Sequence, residues 1–276
     1  MREMSSITAD TIATPVQTVE RGSSSSRSDF LAIEEPLQIC LNGSALSITM
    51  RTPGTDLDLA VGFLFTERII NDVSQILSMR TVPAEADNSG ERVTIWLQPE
   101  VTVDPSRVRR NFYTSSSCGL CGKLATGAIE VCPTIPMRQS GPQFRPDLIC
   151  RLPDLLRRAQ ENFDRTGGIH AAALFSTEGE LLGLREDVGR HNAVDKLIGF
   201  ALRNGTVPLQ DSLILVSGRA GFELVQKSVM AAIPILVAVG APSSLAVETA
   251  QRFGMTLVGF LRGERFNIYS GSWRIL

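Results

Sequence analysis

Apolar and polar residues alternate over two short stretches near the start of the chain, 37–41 and 46–50, with Asn42 and Gly43 between them. A period of two is typical of a half-buried strand, and Asn-Gly favours the tight turn of a hairpin. The pattern therefore predicts a β-hairpin. A further strand is predicted over 93–97, where β-branched and aromatic residues predominate.

The second half of the chain alternates between short apolar runs and stretches with helical spacing. The runs predict strands over 169–175, 181–185, 212–217, 235–239 and 255–260. The helical spacings predict helices over 148–163, 192–202, 221–231 and 243–253, and two more are predicted from Asp56 and over 122–130. This succession is typical of an α/β layer with a largely parallel sheet.

The organisation of the chain follows from shifts in composition. Residues 1–28 are rich in Ser and Thr and cannot bury enough apolar surface to offset the cost of ordering, so we expect a disordered arm. Several prolines punctuate 133–146 and suggest a domain boundary. We therefore expect a β-rich N-terminal subdomain over 29–140 and an α/β domain over 141–276.

Composition excludes several classes of protein. With 43% hydrophobic and 20% charged residues among 276, most of the chain is expected to be globular. The net charge of −2 argues against a nucleic-acid binder, which needs a broad basic surface. No apolar run is long enough for a membrane helix, and the first 20 residues lack the apolar segment of a secretory signal. We expect a cytoplasmic protein.

The five cysteines do not suggest a disulfide framework, because their number is odd and no export signal is evident. Cys40 lies in an alternating segment and is expected to be a small buried residue. Cys132 and Cys150 receive no role. Only Cys118 and Cys121 are close in sequence, in the motif Cys-Gly-Leu-Cys.

This pair allows thiolate chemistry. A cysteine thiolate is the reactive species, and nearby cations lower the pKa of the thiol. The stretch 105–123 carries three arginines and Lys123 but no acidic residue. Four interpretations remain open from the residues alone: a zinc site, a redox pair, two inert cysteines, or a thiolate that accepts sulfur as a persulfide and transfers it. Zinc is disfavoured because a structural site needs four ligands and no second close pair exists.

Two loop residues, His191 and Arg219, are candidates for binding a ligand. His191 lies in a polar stretch that opens a helix, where phosphate is favoured, although helix capping by Asp187 or Asn192 explains the pattern equally well. Arg219 follows a predicted strand in Ser-Gly-Arg, the position where α/β folds bind ligands, but it belongs to no nucleotide motif. His170 begins an apolar strand and is more simply explained as a structural histidine.

The C-terminal tail is basic. Arg262 and Arg265 can bind phosphates, and Phe260 and Phe266 can stack on a base. A solvated hairpin with surface arginines is the simpler alternative. The residues alone leave both interpretations open.

Taken together, these segments resemble the FdhD family from about Glu34 to the C-terminus. The matching segments are Met50–Gly54, Val61–Leu64, Ser116–Lys123, Thr166–His170, Glu186–Lys196 and Ser217–Arg219. The ordered set is far more specific than any single motif. The Ser-rich arm lies outside it.

The resemblance implies a sulfurtransferase. Members of the family receive sulfur from a cysteine desulfurase and pass it to the bis-molybdopterin guanine dinucleotide cofactor before that cofactor enters formate dehydrogenase. The family's persulfide cysteine aligns with Cys118, and Cys121 is the expected relay or resolving thiol. GDP is an expected mimic of the cofactor, no zinc is expected, and a homodimer is implied. The family's cofactor-binding segment corresponds to Phe260, Leu261, Arg262, Gly263, Glu264 and Arg265, to which we add His191 and Arg219.

The resemblance also implies a three-layer α/β/α fold related to cytidine deaminases. Zinc deaminases use H-x-E and P-C-x-x-C. The corresponding places here are His170–Ala172 and Ser217–Arg219, without the glutamate and the paired cysteines, so we expect a deaminase-like frame without zinc. Two other functions stay open: a chaperone that only binds the cofactor, or a thiol-disulfide oxidoreductase.

Overall fold

The computed structural model describes residues 10–83, 91–104, 133, 136–138 and 140–276. Its strands are β1 Thr11–Glu20, β2 Ser23–Ala32, β3 Glu35–Leu41, β4 Ser44–Arg51, β5 Ile76–Val82, β6 Glu91–Leu97, β7 His170–Phe175, β8 Leu181–Asp187, β9 Leu213–Val216, β10 Ile235–Ala238, β11 Thr256–Arg262 and β12 Arg265–Ser270. Its α-helices are α1 Asp56–Thr66, α2 Pro146–Ala159, α3 Glu161–Thr166, α4 Arg190–Arg203, α5 Phe222–Met230 and α6 Ser244–Arg252. No helix in these ranges is long and apolar enough to cross a membrane.

A six-stranded sheet in the order β12-β11-β10-β9-β7-β8 forms the centre of the C-terminal half. The inner strands β9, β10 and β11 are parallel to one another, and their sequences are almost entirely buried. The outer strands β7, β8 and β12 are antiparallel to their neighbours. The prediction of a largely parallel sheet was therefore wrong for the outer strands, because short turns such as 176–180 join consecutive strands directly instead of through a helix.

Helices cover both faces of this sheet. On one face, α2 packs its apolar side against alternate residues of β7, β9 and β10. On the other face, α4, α5 and α6 pack against the intervening residues of the same strands. The alternation arises because successive side chains of a strand point to opposite faces. The expected three-layer α/β/α arrangement is confirmed.

A smaller sheet in the order β4-β3-β6-β5 forms the N-terminal part. The predicted hairpin is β3–β4, and its turn residues Asn42 and Gly43 have φ angles of 49° and 82°. Both angles are positive, as this type of two-residue turn requires, which explains why Asn-Gly gave so strong a signal. One face of the sheet packs on α1.

The two sheets share one hydrophobic core through the packing of α1 on α4. A Cβ atom added at Gly62 of α1 would lie 1.8 Å from the backbone oxygen of Asp195, and one at Gly199 of α4 would lie 1.9 Å from that of Asp58. The helices therefore approach backbone to backbone, which only glycine permits at these two positions. This contact fixes the N-terminal sheet against the C-terminal half, whatever the exact domain boundary near 140.

A disordered arm was expected over 1–28, but the structure has two strands from Thr11 onwards. Residues 1–9 lie outside the described ranges, but β1 and β2 form a hairpin with ten paired residues on each strand. Its base is held by Asn162, whose side chain donates to Asp10 at 2.7 Å, and by Arg165, which stacks on Phe30. The Ser-rich strand is stabilised by backbone pairing, which does not depend on apolar side chains and so cannot be predicted from composition.

Candidate anion-binding site at one edge of the central sheet

The topology brings several loops to one edge of the six-stranded sheet. The parallel strands β9, β10 and β11 all end there, and the antiparallel strands β7 and β12 begin there. We call this the carboxyl edge. It consists of His170, Asp187–His191, Ser217–Gly221, Gly240–Pro242 and Phe260–Arg265. Ligands of open α/β sheets bind outside the carboxyl ends of such strands.

All the predicted cofactor-binding residues belong to this edge. His191 is in the first turn of α4, Arg219 lies between β9 and α5, and Phe260–Arg265 spans the end of β11 and the turn to β12. Neighbouring strands lie about 4.8 Å apart, so roughly 19 Å separate β11 from β8. The predicted thiols, Cys118 and Cys121, lie outside the described residues.

The end of β11 is distorted in a way that exposes an aromatic ring. The pairing of β11 with β12 is irregular between Gly259 and Arg262. Within this bulge Phe260 has a φ of 55°, and its side chain is 39% exposed. A bulky residue with positive φ is a conformational outlier, and such outliers are concentrated at functional sites. The ring is thus available for stacking.

The remaining tail residues divide between core and surface. Leu261 is 1% exposed and packs in the core on the α2 side, so its side chain is not available to a ligand. Arg262 and Arg265 are exposed and pair across the turn, in which Gly263 has a φ of 55°. Two exposed cations therefore lie in the same turn region as Phe260.

The loop that carries Arg219 is closely packed against its neighbour. Gly240 donates its backbone N–H to the carbonyl of Gly218 at 3.0 Å. A Cβ at Gly240 would lie 3.0 Å from the backbone of Arg219. The loop backbone is therefore fixed while the Arg219 side chain is exposed.

His170 lies against the same loop. The hydroxyl of Ser217 accepts the backbone N–H of Ala171 at 2.9 Å, and a Cβ at Gly218 would be 3.4 Å from the His170 ring. Burial, together with the positive charges of Arg190 and His191, lowers the pKa of His170 despite the opposing charge of Asp187. The two segments compared above with deaminase motifs thus lie side by side. Among the described residues no group of three or more His, Cys, Asp or Glu could hold a metal ion.

His191 has an acidic partner that the sequence did not indicate. Its Nε2 lies 2.7 Å from Oε2 of Glu223, in the first turn of α5, and the two side chains are only 15% and 11% exposed. The contact is an ion pair when His191 is protonated. One signal was available, because Glu223 and Lys227 are four residues apart on one helix face, as are His191 and Asp195.

Behind this pair lies a second, fully buried one. Nζ of Lys227 donates to Oδ2 of Asp195 at 2.8 Å, and the hydroxyl of Thr66 donates to Oδ1 at 2.8 Å. Burial opposes the charged form of Lys227, but the carboxylates of Asp195, Glu67 and Glu223 together outweigh it, and the pKa of Lys227 is raised. The two pairs hold α4 and α5 in a fixed relation.

A third cluster joins the N-terminal part to α4. We call it the junction cluster; its members are Thr52, Asp187, Asn192 and Lys196. Asp187 accepts the backbone N–H of Thr52 at 3.1 Å and contacts Nζ of Lys196 at 2.6 Å. Lys196 also donates to the carbonyl of Thr52 at 2.7 Å. Asn192 donates to Asp187 at 3.0 Å, but neither side chain caps α4, so the capping interpretation was wrong and both residues join two parts of the fold instead.

The comparisons with known proteins agree with this architecture. The model of the FdhD/NarQ family matches residues 32–276. A crystal structure of a protein assigned as a formate dehydrogenase accessory protein from Desulfotalea psychrophila superposes with a TM-score of 0.77, at 25% identity, over 97% of this chain and 100% of that one.

Curated relatives cover nearly the whole chain. Sulfur carrier protein FdhD of Streptomyces coelicolor is 51% identical over 261 residues, which is 93% of each chain. The protein of the same name from Mycobacterium tuberculosis is 46% identical and covers 90% of this chain and 92% of its own length. That of Sulfolobus acidocaldarius is 43% identical, with coverage of 94% and 96%. The chain belongs to the FdhD/NarQ family.

Proposed function

We propose that this protein is a sulfurtransferase for the molybdenum cofactor of formate dehydrogenase. It accepts sulfur from a cysteine desulfurase as a persulfide on Cys118, and transfers it to the bis-molybdopterin guanine dinucleotide before that cofactor enters the dehydrogenase. It acts as a homodimer. The names of its relatives support the sulfur-carrier role and the link to formate dehydrogenase.

One observation carries the cofactor part of the proposal. The predicted binding residues, distant in sequence, lie at the carboxyl edge, where Arg219, Arg262 and Arg265 and the Phe260 ring are all exposed. A ligand with two guanine nucleotides needs fixed cations for its diphosphates and flat surfaces for its bases. An edge of roughly 19 Å from β11 to β8 offers both along its length.

Loading of sulfur is an exchange between thiols. The Cys118 thiolate attacks the outer sulfur of the desulfurase persulfide, the S–S bond of that persulfide breaks, and the desulfurase cysteine leaves as a thiolate. One sulfur–sulfur bond replaces another, so no oxidant or reductant is needed. The absence of acidic residues from 105–123 favours the thiolate form of Cys118.

Release of sulfur needs two electrons, because the outer sulfur leaves as sulfide. The Cys121 thiolate attacks the inner sulfur of the Cys118 persulfide, and hydrosulfide departs towards the bound cofactor. A Cys118–Cys121 disulfide remains, which a cellular dithiol must reduce before the next cycle. The second cysteine of the motif therefore serves as the resolving thiol.

Cys118→Ala tests the proposal. After incubation with cysteine desulfurase and cysteine, intact-mass measurement should show the wild-type chain heavier by one sulfur atom and the variant unchanged. Cells that carry only the variant should lack formate dehydrogenase activity. Cys118→Ser should fail as well, since a serine hydroxyl is not ionised at neutral pH and cannot hold sulfane sulfur.

Cys40→Ala and Cys150→Ala are the matched controls. Burial raises the pKa of the Cys40 thiol, and burial together with the charges of Glu264 and Asp147 raises that of Cys150. Both thiols are therefore poor nucleophiles at neutral pH, and both variants should load sulfur normally. Normal dehydrogenase activity with Cys118→Ala would leave a cofactor-binding chaperone as the better explanation.

A further inference from the structure

Arg190, the first residue of α4, differs from the charged residues around it. Its neighbours in the same motif are engaged inside the protein: Asp187 and Lys196 in the junction cluster, and Asp195 with Lys227. Nε of Arg190 is buried, yet it has no hydrogen-bond partner in the part of the chain that the structure describes. A buried donor without a partner is unfavourable, so a ligand that accepted a hydrogen bond from this N–H would remove that cost.

The surroundings of Arg190 suit an anion. A Cβ at Gly218 would lie 4.0 Å from Cδ of Arg190 and 3.4 Å from the His170 ring, so both side chains border the Gly218 loop. The burial and neighbouring charges that act on His170 favour its neutral form. Arg190 therefore supplies the permanent positive charge here.

His191, although adjacent, is less suited to the same task. Glu223 lies 2.7 Å from its Nε2, and this carboxylate compensates the charge of the ring whenever the ring is protonated. Glu223 would also repel an anion that approached His191 directly. Of the two neighbouring residues, Arg190 is the one whose charge is not balanced by a contacting carboxylate among the described residues.

We propose that Arg190 binds the diphosphate of a guanine nucleotide between the start of α4 and the Ser217–Gly221 loop, and that it takes the role which the sequence assigned to His191. The inference rests on the proposed function and specifies where one of the two guanine nucleotides of the cofactor lies. A guanidinium binds phosphate oxygens through two parallel hydrogen bonds. The first turn of α4, which has no side-chain cap, adds backbone N–H groups on the same side.

Calorimetric titration with GDP and with guanosine tests the inference. Arg190→Ala should weaken GDP binding roughly ten- to a hundredfold, because a charged phosphate contact is lost. Guanosine, which has no phosphate, should bind the variant as it binds the wild type. Arg190→Gln keeps the length of the side chain without its charge and should show the same loss for GDP. Arg158→Ala, an exposed arginine of α2 on the opposite face of the sheet, is the control and should change nothing.

The outcomes separate the inference from the proposed function. If the wild-type protein binds neither GDP nor guanosine, the cofactor proposal itself is wrong. If the wild type binds GDP and either folded Arg190 variant binds it equally well, the role of Arg190 is overturned and the proposed function stands. Thermal unfolding of each variant shows which of them is folded. If Arg190→Ala is not folded, the GDP affinity of Arg190→Gln tests the role of Arg190.

Discussion

The segment 186–196 contributes to two regions with opposite electrostatic character. In the junction cluster, Asp187 and Lys196 are essentially fully buried, 0% and 1% exposed, and satisfy each other and the backbone of Thr52. At the carboxyl edge, a few residues away, Arg190 has a buried donor without a partner and Arg219 is exposed. One short motif thus provides a fixed contact between two parts of the fold and also the cation that we propose for a ligand.

The difference shows how to separate structural from ligand-binding residues within a family motif. Both kinds of residue are charged and both lie at the start of the same helix, so the sequence alone does not distinguish them. The hydrogen-bond partners distinguish them. A side chain whose donors and acceptors are all satisfied within the protein has no free group for a ligand, whereas a side chain with an unsatisfied donor can still bind one. The predictions below test this division.

The largest effect is expected at the junction cluster. Asp187→Ala would leave the ammonium of Lys196 buried without its counter-charge. It would also leave the backbone N–H of Thr52 without its hydrogen-bond acceptor. Loss of one partner of a buried ion pair costs about 3–5 kcal/mol. Urea denaturation should show a decrease of that size in the free energy of unfolding.

Asp211→Ala provides the control for this measurement. Asp211 forms an ion pair with Arg138 at 3.7 Å, but the two side chains are 77% and 60% exposed. Solvent screens such a pair, and its loss should cost less than about 1 kcal/mol. If Asp187→Ala were as stable as Asp211→Ala, the junction cluster would not stabilise the contact between the N-terminal part and α4.

Much of the fold was predictable because the local signals agreed with the tertiary structure. The Asn42–Gly43 turn and the strand–helix alternation after 169 were both read from periodicity and turn chemistry, and both are confirmed. The β1–β2 hairpin was missed because its stability comes from backbone pairing and from contacts with Asn162 and Arg165, which are far away in sequence. The direction of the outer strands was missed because periodicity reports burial and not orientation.

The sequence selects residues that the topology brings to one edge, but it does not predict their pairings. The resemblance pointed to Phe260–Arg265, the loop patterns added His191 and Arg219, and a role of these residues in binding stays a prediction. Neither source indicated that Glu223 contacts His191 across two helices, or that the side chain of Leu261 is in the core. The i,i+4 spacings indicate a charged face on each of the two helices, but whether the two faces meet depends on the relative rotation of the helices. The position of Leu261 depends on the bulge in β11, which no local pattern encodes.

An intermediate effect is expected at the other end of the carboxyl edge. Arg262→Ala and Arg265→Ala should each weaken GDP binding roughly ten- to a hundredfold, since each removes a charged phosphate contact. Persulfide loading at Cys118 should be nearly unchanged, because receiving sulfur does not require the cofactor. Calorimetry with GDP, alongside the intact-mass assay, measures both quantities.

Arg252→Ala is the matched control for the tail. This exposed arginine belongs to the same stretch of chain but lies in the last turn of α6, away from the carboxyl edge. It should bind GDP as the wild type does. Unaltered affinity in all three variants would mean that the β11–β12 turn is only a surface hairpin, and that the phosphates bind near Arg190 and Arg219 alone.

The smallest effect concerns pH and His170. Because the pKa of this histidine is lowered in the folded state, the unfolded chain binds its proton more tightly, and the free energy of unfolding must fall as the pH decreases through about 6.5. His170→Asn should remove this part of the pH dependence between pH 7 and 5, as measured by urea denaturation at several pH values.

A diphosphate beside Arg190 would offset the positive charges that oppose protonation of His170. Protonation of His170 should therefore strengthen GDP binding by the wild type relative to His170→Asn as the pH falls, and this binding should take up protons, which calorimetry in two buffers of different ionisation enthalpy measures. In His170→Asn the proton uptake should disappear. If the uptake were unchanged in that variant, the nucleotide phosphates would not lie next to His170, and the division between the junction cluster and this end of the carboxyl edge would have to be redrawn.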